Sequence, residues 1–431
     1  MLGSTILGLN STGTSSVLLT PNEIPITINV ANPATMTFSY PPTVSFITLP
    51  PPDVRKYEQH IMGSIRCPTY KIEFLRQENE SPYLDVSDWI ICDSGSVNIE
   101  KQNGVRRTSS FELSNIGKKF NDFVEHLTIG SKFRVSIGEE IDGNTIYFNE
   151  GVFLCDDPTV YGGNGDCKIT ISGTDKWSVL NGQHGGVLEG TYTVEKGSTV
   201  GDFIRRTLRL NIVNDPITPL IHSDVESKEI TYDITKSEGS TIADVFLDVA
   251  LNMNLDMFYD EHGRLNVVPI AEAENRTIIR RFAPEDYSYI SASKTYNNER
   301  ICNSVLVVGE NAANSNSPVR FELVNNDPDD PNSVVNVGVK KVYKVSEYTS
   351  GIDTEEKARW RAAYELRNIR EKFFSANIEY VDVMHLDVDQ IVELRDSSIP
   401  GSDDDDCRYV IVSLNHNLGV DLTVTASVSK I

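Results

Sequence analysis

The chain contains no run of about eighteen apolar residues, so no segment of it reads as a membrane-spanning helix. Its six cysteines, at 67, 92, 155, 167, 302 and 407, stand far apart and form no C-x-x-C pair. That spacing argues against a zinc ribbon or a thioredoxin-type redox site, and structural free thiols are expected. Basic residues are outnumbered, 39 Lys and Arg against 62 Asp and Glu, leaving a net charge of −23. A charge of that sign opposes binding to nucleic acid or to anionic lipid. The arginine pairs Arg106-Arg107, Arg205-Arg206 and Arg280-Arg281 are separated and read as solvated faces or ion-pair partners. No H-E-x-x-H, G-x-S-x-G or phosphate-binding glycine loop occurs, and the seven histidines fall in no catalytic arrangement. An enzyme is therefore not expected, nor a cofactor. The start, Met1-Leu2-Gly3-Ser4-Thr5, lacks the basic and apolar features of a secretory signal, so cytosolic synthesis is expected.

What the chain does have is a repeated opening of short amphipathic stretches. Gly197-Ser198-Thr199 precedes Val200, Phe203, Ile204 and Leu208; Gly239-Ser240-Thr241 precedes Ile242, Val245, Phe246 and Val249. In each copy a threonine stands three residues before an aspartate, Asp202 or Asp244. At that spacing a hydroxyl and a carboxylate can satisfy the free amides at a helix start and suit its positive end. Two capped helices are expected, within a small mixed module at about 191–285.

Strand-like sequence lies on both sides. From about 63, Tyr70, Ile72 and Phe74 alternate with polar residues, and Val97 and Ile99 lead through Asn103-Gly104 to Phe111 and Leu113. Phe133, Val135 and Ile137 run to Asp142-Gly143 and return over Ile146 to Leu154. Asn-Gly and Asp-Gly between alternating runs signal hairpins, and strands at this spacing indicate a β-barrel or sandwich over 63–190. Asp175 to Leu180 closes that unit with a helical turn, and a hairpin is expected around Glu261-His262-Gly263. A second β unit, 286–431, holds a helix at 354–373. There Asp353 and Glu356 have capping-box spacing, and Ala358, Ala362, Leu366, Ile369 and Phe373 form an apolar stripe. Residues 1–62 carry only two basic residues, Arg55 and Lys56, and are rich in Ser, Thr, Asn and Pro. They read as an extended arm that either adds a strand to a neighbouring subunit or hangs free.

Candidate ligand clusters are weak. His385, Asp387 and Asp389 would share one face of a strand and could hold a divalent metal, but a polar face near a turn is the stronger reading. Asp403 to Asp406 lack the ordered spacing of a calcium loop and read as a solvated, mutually repelling turn. Gly162-Gly163-Asn164-Gly165 leads into a strand where a phosphate cradle needs a helix. Trp89, Trp177 and Trp360 read as core or interface anchors. No catalytic, cofactor-binding or metal residue is assigned.

Three stretches carry a resemblance: Gly151 to Pro158, Ile169 to Trp177, and Thr193 to Thr199. Together with the hairpin from Val97 to Leu113 and the closing strands Tyr409 to Leu414 and Leu422 to Ser429, they resemble the bacteriophage tail hub proteins. These are the baseplate hub and tail-tip proteins of contractile and long flexible tails, with their relatives in phage-derived particles. The resemblance spans about residues 65–431; the arm departs from it. It implies a mainly β chain with two tube-like barrels flanking an α+β centre, and a helix embedded in the second barrel. It further implies a homotrimer, a pseudo-sixfold ring joining a sixfold tail tube to a threefold spike or tip, located in the virion at the tail tip or baseplate. The implied partners are the chain itself, the tube or distal tail protein ring, the spike or tip protein and, as a further candidate, the tape measure protein. DNA would pass through a negatively lined conduit without adhering. The competing readings are a β-sandwich receptor-binding or adhesin protein and, last, a cell-wall enzyme.

Overall fold

In a computed structural model, the described residues are 8–9, 14–17, 26–29, 52–61, 66–91, 94–125, 127, 130–162, 167–270, 276–296, 302–309, 318–345, 349, 351–400, 402, 407–419 and 422–431. Two units divide at Pro51/Pro52. The first contains three short antiparallel strands, β1 (Gly8–Leu9), β2 (Thr14–Val17) and β3 (Ile26–Asn29).

The second unit opens with a helix, α1 (Pro52–Ile61), in the last part of the stretch expected to be an extended arm. The triple proline that suggests extension ends by supplying Pro52 as first helical residue, where a missing amide hydrogen costs nothing and a fixed φ helps. Tyr57 on this helix is fully buried.

The first β segment comprises β4 (Pro68–Leu75), β5 (Pro82–Asp85), β6 (Gly95–Glu100), β7 (Arg107–Ser114), a short helix α2 (Asn121–Glu125), β8 (Lys132–Ile141), β9 (Asn144–Cys155), β10 (Thr159–Tyr161) and β11 (Lys168–Asp175). Burial alternates strictly along β7 and β11, as the sequence period requires. Asp142 and Gly143 both take positive φ, 53° and 76°, the pair that a tight primed turn between β8 and β9 demands. Inside, Phe133 stacks on Phe153 at 5.4 Å and meets Phe111 edge-on at 5.2 Å, knitting three strands through aromatic contact.

The central elements are α3 (Trp177–Leu180), β12 (Tyr192–Val194), α4 (Val200–Leu208), β13 (Leu220–Ile221), α5 (Ser223–Glu226), β14 (Ile234–Lys236), α6 (Ile242–Met253), β15 (Leu255–Tyr259) and β16 (Leu265–Pro269). Both expected helices are present and capped. Thr199 Oγ1 accepts from the Asp202 amide, whereas Thr241 and Asp244 form a complete reciprocal box. The duplication extends well beyond the caps. Thr199 bridges to Glu229 and Val187 bridges to Thr241; adding 42 to Val187 and Thr199 gives Glu229 and Thr241, the same partners with roles exchanged. The strand pair β12–β14 obeys the same exchange, centred on Thr193 opposite Thr235. So do the backbone bonds, with Gly197 N and Gly239 N donating to Ile230 O and Leu188 O, and Ile230 N and Leu188 N returning to Ser198 O and Ser240 O. The centre is thus two interlocked copies about a local pseudo-twofold axis, each copy's glycine-serine step held by the other copy's strand. Phe203 and Phe246, from the two helices, meet at 5.4 Å in the shared core.

The last segment comprises β17 (Ile278–Phe282), β18 (Tyr289–Tyr296), β19 (Ser304–Gly309), β20 (Val319–Val324), α7 (Val334–Val337), β21 (Val342–Val345), α8 (Glu355–Phe373), β22 (Phe374–Val381), β23 (Ile391–Leu394), β24 (Arg408–Leu418) and β25 (Thr423–Lys430). The long helix is where the sequence places it, and Ala358, Ala362, Leu366 and Ile369 pack against Val305 and Val307 of the small sheet β20-β19-β21. Its cap differs by one residue. Thr354 Oγ1 accepts from the Lys357 amide, and Asp353 instead pairs with Lys357 Nζ at 2.8 Å. Both residues are good caps, so the last extended residue before the helix decides.

One fourteen-stranded sheet runs through both β segments in the order β18-β22-β25-β24-β6-β7-β11-β9-β8-β4-β5, with β10 on β11 and the parallel pair β17–β23 on β24. The junction is β24, whose residues Ser413 to Leu418 pair antiparallel with β6 while Arg408 to Val410 pair with β23. One hydrophobic core follows, holding Ile72, Phe133 and Ile171 together with Ile378, Ile411 and Val424.

Candidate functional site

The junction between the segments encloses a set of buried charges. His416 on β24 is fully buried, and its Nδ1 lies 3.1 Å from Asp382 Oδ1, just past β22. Its Nε2 lies 3.7 Å from Glu150 Oε2 on β9. Arg107 on β7 donates from Nη1 to the Glu150 carbonyl at 2.8 Å and from Nη2 to the Asp387 carboxylate. Around this centre, Tyr57 OH donates to Asp382 O at 3.2 Å, and Arg66 donates to Tyr57 OH, Asp382 O and Glu139. Strands β7, β8, β9 and β24, the end of β22 and helix α1 therefore meet at one charge cluster. Burial pushes the Glu150 carboxyl up to about 8. Burial also opposes charge on His416, but the facing carboxylates of Asp382 and Glu150 outweigh it and raise the imidazole to about 9.

A second node fastens the central module to the first β segment. Lys176 Nζ, following β11, contacts Glu80 Oε1 at 2.8 Å, Asp215 Oδ1 at 2.6 Å and Gly263 O at 2.9 Å. Lys132 Nζ reaches the same Glu80 oxygen at 2.7 Å, and Tyr259 OH donates to Asp215 Oδ2 at 2.8 Å. Burial, then repulsion from Lys176, holds the Lys132 ammonium below the usual lysine range. A cavity of about 170 Å³ adjoins this node, lined by Gln77, His184 and Asn211 among others. Beside it, the carboxylate of Asp175 accepts from the amides of Arg106, Arg107 and Trp177, fixing the start of α3. Burial raises that carboxyl to about 6 despite the three amides.

Chemically these arrangements hold elements together. The Lys176 ammonium has three acceptors, one for each of its hydrogens. The arginine pairs supply ion pairs, and three members are buried: Arg106 meets Asp256 at 2.6 Å under Phe258, Arg107 meets Asp387, and Arg280 meets Asp286 at 2.9 Å. The solvated-face alternative fails for those three, because the arginines themselves are buried and a buried cation needs the carboxylate each one meets.

His385, Asp387 and Asp389 do not lie on a strand, and each serves a different partner. His385 Nε2 meets Glu58 at 3.0 Å, Asp387 meets Arg107, and Asp389 meets Lys101 at 2.9 Å and Arg276 at 2.8 Å. Among the described residues no cluster fits a metal ion. Asp403 to Asp406 and Gly163 to Gly165 lie outside the described residues. Trp177 is buried in the central core, Trp89 meets Phe120 edge-on, and Trp360 stacks on Tyr364. The five described cysteines are free. No helix among the described residues is long and apolar enough to cross a membrane. Sequence reasoning missed Glu150, Asp382 and His416, which lie far apart in the chain; the acid between two valines at Asp382 was the local signal.

By sequence the chain matches no protein-family model and no curated protein. By fold it is similar to the 43 kDa tail protein of prophage MuSo2 from Shewanella oneidensis, with a TM-score of 0.59 at 14% identity, covering 84% of this chain and 98% of that one. It is similar to the tail protein from Neisseria meningitidis MC58, with a TM-score of 0.58 at 13% identity, over 84% and 96% of the two chains. It is also similar to a chain of the Francisella PdpA-VgrG complex, with a TM-score of 0.52 at 11% identity, covering 87% of this chain and 54% of that one. The chain has the mainly β fold of phage tail proteins.

Proposed function

We propose that this chain is a structural hub subunit of a phage-type tail tip or baseplate. The observation that carries the reading is the fold match, which runs nearly end to end through the two prophage and bacterial tail proteins. Three copies form a ring in which the two β segments of each chain serve as quasi-equivalent barrel-like units, so that a threefold particle meets the sixfold tail tube on one side and a spike or tip on the other. The continuous sheet and the buried charge cluster at β24 support this, because a load-bearing adaptor needs its two halves fixed in register. The tube or distal tail ring, the spike or tip protein and the tape measure protein are the partners, and the virion tail is the location. Excess carboxylate facing the ring's lumen would repel the DNA backbone and let the genome slide. Nothing favours the adhesin reading: the exposed tyrosines Tyr83, Tyr147, Tyr161, Tyr287 and Tyr343 are scattered over separate elements.

Light scattering on the purified chain tests the reading. A particle of three times the 48.0 kDa chain mass, annular in electron micrographs, is expected. A monomer at every concentration, or a compact particle without a central opening, overturns it.

A further inference from the structure

The two β segments share one sheet through a single pair of strands. Among the described strands, β24 against β6 is the pairing that links them, Ser413 to Leu418 lying along Glu100 to Gly95. His416 sits within that pairing, opposite Val97, and is fully buried. Behind it the charges fall on two sides. The first segment supplies Arg107 from β7 and Glu150 from β9; the last supplies His416, with Asp382 and Asp387 beyond β22. Two contacts cross between the sides: His416 Nε2 to Glu150 Oε2 at 3.7 Å, and Arg107 Nη2 to the Asp387 carboxylate. The other ionisable neighbours are already paired or neutral. Arg66 and Glu139 pair at 2.8 Å, His385 meets Glu58 at 3.0 Å, and burial pushes the phenols of Tyr57 and Tyr380 up, so they stay un-ionised.

Charge balance decides how this joint is held. With both protons bound, Glu150 is neutral and His416 cationic. The first side then carries Arg107 alone, a net +1, and the last side carries His416 against two aspartates, a net −1. With both protons gone, Arg107 and Glu150 cancel to 0, the last side reaches −2, and the Glu150 carboxylate confronts Asp382. Attraction across the joint exists in the first state and is lost in the second. Glu150 Oε1, His416 Nε2 and Arg107 Nε are moreover buried with no hydrogen-bond partner among the described residues. An ionised Glu150 therefore finds no neutral donor there to replace its lost proton, which is the costly condition for a buried carboxylate.

We propose that the protons on His416 and Glu150 latch the joint, and that their loss releases β24 from β6 while each β segment keeps its own fold. Burial works against charge on the imidazole, yet the facing carboxylates raise it to about 9, and burial raises the Glu150 carboxyl to about 8. Both groups bind protons more tightly with the joint closed than open. The latch is therefore engaged at pH 7 and lets go as pH rises through 8 to 9. This device goes beyond the hub reading and does not depend on it.

Hydrogen exchange of the full chain, read by mass spectrometry at pH 7, 8 and 9 and corrected for the intrinsic rate, tests it. Peptides over 413–418 and 95–100 report the β24–β6 pairing, and peptides over α6 in the central core report opening of the whole chain. Each proton released on opening makes the open form up to ~10-fold more populated per pH unit. The wild-type pairing should thus lose protection ~100-fold or more between pH 7 and 9, while α6 stays at least ~10-fold better protected than the pairing at every pH. Glu150→Gln keeps that side chain neutral and should make the loss at least ~5-fold smaller. Pairing protection that is flat with pH, or equal to that of α6 throughout, overturns the proposal. So does a Glu150→Gln variant, shown to fold by circular-dichroism melting, whose pairing follows the wild type. If that variant does not fold, the wild-type profile decides by the first two criteria.

Discussion

Replacing His416 by glutamine is the sharpest probe of the junction, because the structure sets both the sign and the size of the effect. The imidazole is raised from 6.5 to about 9 and the neighbouring Glu150 carboxyl from 4.5 to about 8. Both groups therefore bind protons more tightly folded than unfolded. For His416 the stabilisation is full below pH 6.5 and vanishes as pH rises through about 9. Glu150 acts in the same direction, since stability falls from pH 4.5 upward until the folded carboxyl ionises at about 8. Between pH 7 and 9 the two together remove on the order of 3–4 kcal/mol from the wild type. In the glutamine variant only Glu150 remains to titrate, and without the facing cation its proton is held more tightly still, so the loss over the same window rises toward, but cannot exceed, one proton's worth, about 3 kcal/mol, and its slope stays shallower than the wild type's. The two groups titrate as a pair, so the difference in slope is the observable, not a value for either alone. Urea unfolding followed by tryptophan fluorescence at pH 7, 8 and 9 measures it. Equal slopes for wild type and variant would show that the cluster is not the source of alkaline sensitivity, and the account of the junction would fall.

Three further outcomes are expected. Lys176→Met leaves the buried Asp215 without its cation, while Glu80 keeps Lys132, and should cost about 3 kcal/mol by chemical denaturation; a loss under about 1 kcal/mol would mean the node is hydrated and weak. Thr241→Ala, which breaks a complete capping box, should destabilise by about 1–2 kcal/mol, and Thr199→Ala, which removes one bond, by less; the reverse order in melting experiments would contradict the assigned caps. Gly173→Ala should be among the most damaging single-methyl additions, since its Cβ would sit 2.5 Å from Leu154 O and 2.8 Å from the Phe133 ring, and a soluble, normally melting variant would refute that packing.

The junction between the two β segments is built from residues distant in the chain. In the charge cluster, Arg107, Glu150, Asp382 and His416 each come from a different strand or strand end, and every one is turned toward another member.

Features set by contacts three or four residues apart were written plainly in the sequence. The caps at Thr199 and Thr241, the Asp142-Gly143 turn and the stripe from Ala358 to Ile369 depend on local hydrogen bonding and periodicity, and each is found where its spacing placed it. Even locally there were ties: Asp353 and Thr354 are equally able caps, and a proline run suits both an extended arm and the first turn of α1. What the sequence could not decide was partnership across distance. Tyr57 reaches Asp382 from 325 positions away, and β24 divides its edge between β6 and β23. Many alternating strands could have met β24 equally well by pattern. The pairing of buried charges and amides across the chain selects among them, and that pairing exists solely in the assembled fold.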